Sequence, residues 1–329
     1  MVSRGLGRET RLSAHHRSRL LPYNPRMLIV TGTIGVDTIH APTGSAEGVM
    51  GGSAAYFAAA ASHLAPTRLV GLVGEDWPAE HRAVLEGFKG IDFGGVEIRS
   101  GGETFKWGGR YFDDMNQRET LFTELGVLED TPPTVPENFR DSRYVFLANS
   151  HPAVQADLLD QFPDRAIAVC DTMDLWINIA HDDLLRLLKK VDGVVLNDGE
   201  AAQLVETRNV VDAGRKILEL GPTFAVIKKG EHGAVLVHRD GIAVVPAFPA
   251  DHAAVVDPTG AGDSFGGGMM AHLAKLDRTD FDAIQESLAW GTVMASFTIG
   301  SFGLEGLRGL DDARISERMD QYRTMSRIG

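Results

Sequence analysis

Val255-Val256-Asp257-Pro258-Thr259-Gly260-Ala261-Gly262-Asp263-Ser264-Phe265-Gly266-Gly267-Gly268 sets a carboxylate directly after a Gly-Ala-Gly turn that opens a helix. The small residues from Gly260 to Gly262 leave backbone N–H groups bare, and a helix N-terminus adds partial positive charge, so the turn can hold an anionic phosphate in transfer. Asp263 faces the same point as a proton acceptor, and its place at a helix N-terminus is expected to keep it ionised at neutral pH. Phe265, Met269, Leu273 and Leu276 recur at helical spacing and give the helix an apolar face. Gly266, Gly267 and Gly268 each cost about 1 kcal/mol against Ala inside a helix, so they point to close approach by backbone or ligand. Taken alone, the stretch reads equally as a Gly-rich turn with Asp263 as a simple cap.

The composition around it is that of a globular protein. A chain of 329 residues with 43% hydrophobic content can bury one large core, or one core and a small accessory element. Its net charge of −13 argues against a nucleic-acid or anionic-membrane partner and leaves ATP open, since that charge is met locally. Cys170 is the single cysteine, which excludes an intrachain disulfide and fits a reducing cytoplasm. No apolar run reaches the roughly 18 residues of a membrane helix, and the histidines lack zinc-ligand spacing. Residues 1–26 carry six arginines, one acidic residue and no apolar period. That leader is expected to be a disordered tail or the product of an upstream start, and a transit peptide is the other reading.

From Met27 onward, apolar runs alternate with helical stretches. Leu28 to Gly32 and Leu69 to Gly74 read as buried strands, with a glycine turn and an alanine-dense helix, Gly51 to Ala61, between them. Tyr144 to Ala148, Ala166 to Cys170, Gly193 to Leu196, Ala225 to Lys228 and Ala234 to Val237 continue the strands, and Leu184 to Lys190 and Ala213 to Leu220 are among the helices. The pattern predicts an α/β three-layer sandwich with a mainly parallel central sheet. Ile91 to Thr123 breaks the rhythm with aromatic and Gly-Gly punctuated stretches, and is expected to form a small antiparallel lid. Neither a P-loop nor a Gly-x-Gly-x-x-Gly turn after a strand occurs, which counts against P-loop NTPases and dinucleotide enzymes.

Three further segments sit after strands, where open α/β sheets bind ligands. Asp37 follows the first strand, Asn197-Asp198-Gly199-Glu200 follows Gly193 to Leu196, and Lys228-Lys229-Gly230-Glu231-His232-Gly233 follows Ala225 to Ile227. A carboxylate such as Asp37 suits polyols because it accepts several hydroxyl bonds. Asn197 to Glu200 reads as a capped helix start, a hard-oxygen Mg²⁺ site, or both. The two lysines read as a solvated turn or as phosphate contacts, and Asn149, Ser150 and His151 also follow a strand, with a plain loop role favoured for His151.

The run from Asp257 to Phe265 resembles the second signature of the ribokinase family of sugar kinases, also called the PfkB family, which reads Asp-Thr-x-Gly-Ala-Gly-Asp-x-Phe. Pro258 is the one departure. Three motifs in the family's order cover about Met27 to Gly306. The resemblance implies a ribokinase-like kinase domain over 27–329, with a β lid that covers the substrate and often mediates dimerisation. It also implies that Asp263 is the general base and that Gly260, Ala261 and Gly262 hold the transferring phosphate. Asp37 with Gly51, Gly52 and Ser53 matches the acceptor floor, and Asn197 with Glu200 the site that orders Mg²⁺, its waters and ATP. Lys228, Gly230 and Gly233 match the nucleotide border, with Lys228 where a Thr is frequent. Asp257, Thr259, Thr298, Ser301 and Gly303 correspond to a monovalent-cation site, K⁺ in several relatives. At Asp171 to Leu175 many relatives read Asp-x-Asn-x-Arg; Met173 and Leu175 replace the polar pair, so any contact of that Arg is lost. The acceptor implied is a sugar or a ribonucleoside, with Phe105, Trp107 and Tyr111 as stacking partners for a purine, as lid core or as dimer interface. A non-catalytic sugar sensor is disfavoured because base and Mg²⁺ motifs both survive.

Overall fold

The computed structural model describes residues 26–251 and 254–327, so the leader read at 1–26 lies outside the described residues, Arg26 excepted. The chain enters through β1 (Leu28–Thr31), turns through a hairpin of β2 (Gly35–Ala41) and β3 (Gly44–Gly51), and continues into α1 (Ser53–Ser62). β4 (Thr67–Gly74), α2 (Ala79–Glu86) and β5 (Ile91–Arg99) precede a second hairpin, β6 (Phe105–Tyr111) and β7 (Arg118–Glu124). Strands and helices then alternate: β8 (Tyr144–Leu147), α3 (Pro152–Leu159), β9 (Ile167–Asp171), α4 (Asp174–Ile179), α5 (His181–Leu188), β10 (Gly193–Asn197), α6 (Asp198–Val205), α7 (Val210–Glu219) and β11 (Phe224–Lys228). β12 (Ala234–His238) and β13 (Gly241–Val245) lead to α8 (Ala261–Leu276), α9 (Phe281–Thr298) and α10 (Asp312–Met325).

One nine-stranded sheet runs β13-β12-β11-β10-β9-β8-β1-β4-β5, parallel from β11 to β5, with β12 and β13 antiparallel at the edge. Both of its faces are covered, as parallel sheets require. Strand alternation sorts the core into two layers: Val30, Phe146, Val169, Val195 and Val226 pack with α1, α8 and α9, while Ile29, Val145, Ala168, Val194 and Ala225 pack with α3, α5 and α7. This is the three-layer α/β sandwich expected from the pattern.

The lid differs from expectation in its membership. Its sheet is β3-β2-β6-β7, so half of it comes from Gly35–Gly51, and β5 instead pairs parallel with β4 at the edge of the main sheet. Gly94-Gly95 looked like turn punctuation but lies within β5, beside a register shift in its pairing with β4. A Cβ on Gly95 would stand 2.6 Å from a methyl of Val70, so glycine serves there to let two strands close. β2 and β3 escaped notice because β3 is mostly exposed and lacks an apolar alternation.

The glycines of α8 have the same cause. α8 packs between α1 and α9, and a Cβ on Gly267 would lie 2.5 Å from the carbonyl oxygen of Phe57, one on Gly268 2.5 Å from that of Trp290. Helix propensity alone would make Gly267→Ala stabilising by about 1 kcal/mol. The packing reverses that sign: Gly267→Ala is expected to destabilise the protein by about 1–3 kcal/mol, read as a lower midpoint in equilibrium urea denaturation.

Candidate active site

Three strand ends open the site. Asp171, Asn197 and Lys228 end β9, β10 and β11 in phase with Val169, Val195 and Val226, so their side chains emerge on the face covered by α8. Lys228 Nζ lies 4.0 Å from Asp171 Oδ1 and 2.7 Å from the point where a Cβ on Gly262 would stand. Its ammonium therefore touches the Gly-Ala-Gly turn, and the solvated-turn reading fails for it. That reading does fit Lys229, a partly exposed residue 3.6 Å from Asp198.

The turn itself is built by contact. Gly260 adopts φ 74° as the residue before α8, and the ring of Tyr56 from α1 packs where a side chain would go. The turn is held by the Ala261 N–H to Pro258 carbonyl bond at 3.1 Å and the Ser264 N–H to Gly260 carbonyl bond at 2.9 Å. Asp263 stands in the first turn of α8. The helix terminus was expected to favour its ionised form, but burial and then the Asp171 carboxylate push its pKa well upward, against the opposing pull of Lys228. A helix terminus contributes only a partial charge, too little to offset burial and a whole neighbouring charge.

Across from it, Asp37 lies in lid strand β2 rather than on the main sheet, 3% exposed, with its carboxyl group against Gly51. Any side chain at Gly51 would displace it. Gly52, at φ 97°, brings backbone under the strand: a Cβ there would lie 2.5 Å from the Thr33 carbonyl oxygen. Burial, and next the Asp257 carboxylate, raise the pKa of Asp37 to about 7. Ser53 belongs to the same segment, but its hydroxyl is engaged with the Thr33 hydroxyl at 2.9 Å and donates to the Asn149 carbonyl at 3.1 Å. It locks α1 to β1.

Asn197 and Glu200 form a reciprocal capping box: Asn197 Oδ1 accepts the Glu200 N–H at 2.8 Å, and Glu200 Oε2 accepts the Asn197 N–H at 2.8 Å. Glu200 Oε1 is left over. Burial and then Asp171 raise the Glu200 pKa to about 7, which marks a carboxylate short of positive charge. Gly233 at φ 87° lets its backbone pass Pro246, and Gly230 at φ 53° faces the side chain of Asn116 from the lid turn.

The remaining cluster lies behind the turn. Asp257 is fully buried, accepts the Thr259 N–H through Oδ1 at 2.8 Å, and has Oδ2 without a partner. The Ser301 hydroxyl is likewise buried and unpartnered. The Thr298 hydroxyl donates to Ser264 at 2.8 Å, and Gly303 takes φ 59° in the turn that follows. Burial raises the Asp257 pKa to about 6.

Known proteins resemble this chain in sequence and in fold. The sequence pattern described as pfkB family carbohydrate kinase matches residues 36–307. The chain belongs to that family. It is 31% identical to the cytidine kinase of Thermococcus kodakarensis over 74% of this chain and 87% of that one. To the ATP-dependent ribose-1-phosphate kinase of Halopiger xanaduensis it is 29% identical, over 82% and 88%. In fold it matches the Burkholderia thailandensis nucleoside kinase bound to inosine, with a TM-score of 0.73 at 19% identity, over 90% of this chain and 98% of that one. The protein is thus an ATP-dependent kinase with a ribokinase-like fold.

Several residues of this kinase site left no trace in the sequence reading. Arg118, on β7, directs its guanidinium over the Trp107 ring, 5.4 Å from the centroid, and acts on Asp37, Asp171, Glu200 and Asp263. Its approach depends on the closure of a hairpin, which no local pattern reports. Tyr56, 1% exposed, keeps an unpartnered hydroxyl among Asp37, Asp257, Tyr111 and Asp263; its position four residues after the Gly51-Gly52 pair was the available signal. Trp107 and Tyr111 are lid core with Ile39 and Met115, and Phe105 packs against it, so these aromatics are not a free base-stacking platform. Asn149 Oδ1 accepts the Trp176 indole N–H at 2.8 Å, and His151 caps α3.

The buried Asp37 carboxylate sets a pH signature. A carboxyl group that holds its proton more tightly when folded stabilises the fold at low pH, and that contribution is lost as pH rises from about 4 towards about 7. Asp37→Asn is therefore expected to match the parent near pH 4 and to be increasingly more stable above it, with the difference levelling off past pH 7. Thermal melting of the ligand-free protein across that range checks this.

Proposed function

We propose that this kinase moves the γ-phosphate of ATP to a primary hydroxyl of a ribose-bearing acceptor, with a ribonucleoside ahead of a free sugar. The observation that carries the reading is the opposition of two carboxylates, Asp263 beside the Gly260–Gly262 turn and Asp37 on the lid side, with the Lys228 ammonium at the turn. Asp37, with the unpartnered Tyr56 hydroxyl near it, offers an acceptor and a donor to substrate hydroxyls. Asp263 takes the proton of the attacking hydroxyl as its oxygen bonds to the γ-phosphorus, and the bond from phosphorus to the bridging oxygen breaks to release ADP. The N–H groups of Gly260, Gly262 and Asp263 and the Lys228 ammonium stabilise the charge on the phosphoryl oxygens. Similarity to a cytidine kinase over most of the chain supports the nucleoside acceptor. Turnover of a panel of nucleosides and free pentoses and hexoses, followed by ADP release, tests it: higher kcat/KM for nucleosides is expected, and turnover of free sugars alone would overturn that preference.

Two cations fit the residues present. Glu200 Oε1 and its buried, undercompensated charge suit Mg²⁺ held through water, which would neutralise the ATP phosphates. Asp257 Oδ2 and the Ser301 hydroxyl, both buried and unpartnered, suit a monovalent cation such as K⁺, with Thr259 and the Thr298 and Gly303 main chain beside them. The lid also suits a homodimer: β7 is exposed along its whole length and carries Leu121 and Phe122, each more than one third exposed. Among the described residues no helix is long and apolar enough to cross a membrane, and the cytoplasm, where ATP is supplied, is the compartment the reaction calls for.

Two variants test the chemistry. Asp263→Asn keeps size and capping ability, and is expected to lower kcat by roughly 10²–10⁴ with ATP binding near the parent and a melting temperature at or above it. A rate within a few-fold of the parent would remove Asp263 from the mechanism. Glu200→Gln is expected to raise the Mg²⁺ concentration for half-maximal rate while leaving acceptor KM unchanged, as a Mg²⁺ titration at saturating ATP would report.

A further inference from the structure

Asp171 has no part in the transfer described above, yet among the described residues it is the one carboxylate within ion-pair distance of Lys228. It ends β9 with 6% of its surface exposed, and its Oδ1 accepts the Thr172 N–H at 2.9 Å. Lys228 arrives from β11, across the end of β10, and its Nζ stands between two fixed points: Asp171 at 4.0 Å and the bare face of Gly262. A lysine stem has four rotatable carbons and no planar fork to pre-orient it, so a buried counter-charge is what gives its ammonium one position. The segment after β9 supplies no cation of its own, since Thr172, Met173, Asp174, Leu175 and Trp176 follow. The cations that act on Asp171, Glu200 and Asp263 are Lys228, from the main sheet, and Arg118, from the lid. Only the first is anchored independently of lid closure.

We propose that Asp171 is a positioning residue: its carboxylate holds the Lys228 ammonium at the Gly260–Gly262 turn, where that charge meets the γ-phosphate, in place of an arginine from the segment after β9. The inference rests on the phosphoryl transfer proposed above, and it adds no bond-making step. A purely structural ion pair would give the same crowding without the effect on ATP.

The test is a double-mutant cycle of Asp171→Asn, Lys228→Met and the two combined, with two readouts. The first is kcat and acceptor KM with cytidine, or with the acceptor that the panel returns. The second is calorimetric affinity for the Mg²⁺ complex of a non-hydrolysable ATP analogue, without acceptor. Lys228→Met is expected to lower kcat on the order of 10²-fold and Asp171→Asn about tenfold, with acceptor KM within about twofold of the parent in each. The combined variant is expected to be no slower than Lys228→Met, because Asp171 acts through Lys228. Multiplied losses, an acceptor KM that rises as kcat falls, or a parent-like Asp171→Asn would overturn the proposal. If either single variant unfolds, Asp171→Glu keeps the charge while shifting it; a kcat lowered about tenfold at an unchanged melting temperature supports the proposal, and a parent-like kcat overturns it. Should the parent turn over no acceptor, the transfer reading fails by itself. Analogue affinity then decides this one, since non-additive losses support the pair and additive or absent losses overturn it.

Discussion

Buried negative charge around one ammonium is the constraint on which the site depends. Asp37, Asp171, Glu200, Asp257 and Asp263 converge on the start of α8, and burial raises the pKa of each. Lys228 and Arg118 are the opposing charges. Burial alone would lower the pKa of Lys228, but Asp171, Glu200 and Asp263 together raise it, so it stays charged. Such a cluster is unfavourable for the ligand-free fold, and it is suited to receive cations that accompany a nucleotide.

Holding those groups in place requires close backbone packing. Glycine makes this possible at two levels: in α8, where carbonyl oxygens of α1 and α9 approach Gly267 and Gly268, and at the turn, where Tyr56 packs against Gly260. A helix weakened by three glycines is acceptable because tertiary packing, rather than propensity, sets its stability. The same contacts fix the direction of its first turn, and therefore of Asp263.

The lid adds a second kind of control. Its strand β2 brings Asp37, its strand β7 brings Arg118, and its turn reaches Gly230 through Asn116. Asp37, Arg118 and Gly230 are thus joined through one four-stranded sheet. Its small core of Ile39, Trp107, Tyr111 and Met115 decides between the ligand and lid-core readings of Trp107 and Tyr111 in favour of core.

The sequence alone determined the sandwich, because continuous apolar strand runs with helices between them leave few other ways to cover a parallel sheet. It also determined the Gly-Ala-Gly-Asp turn and the capped start of α6, since both are local patterns whose chemistry lies within a few residues. Tertiary structure decided the rest. Whether Ser53 was free or spent on Thr33 and Asn149, whether Lys228 faced water or Asp171, and whether Asp263 kept its ordinary pKa all depend on residues far away in the chain. Charge coupling and desolvation act through distance in space and exclusion of water, and a linear sequence carries neither until its strands have been placed side by side.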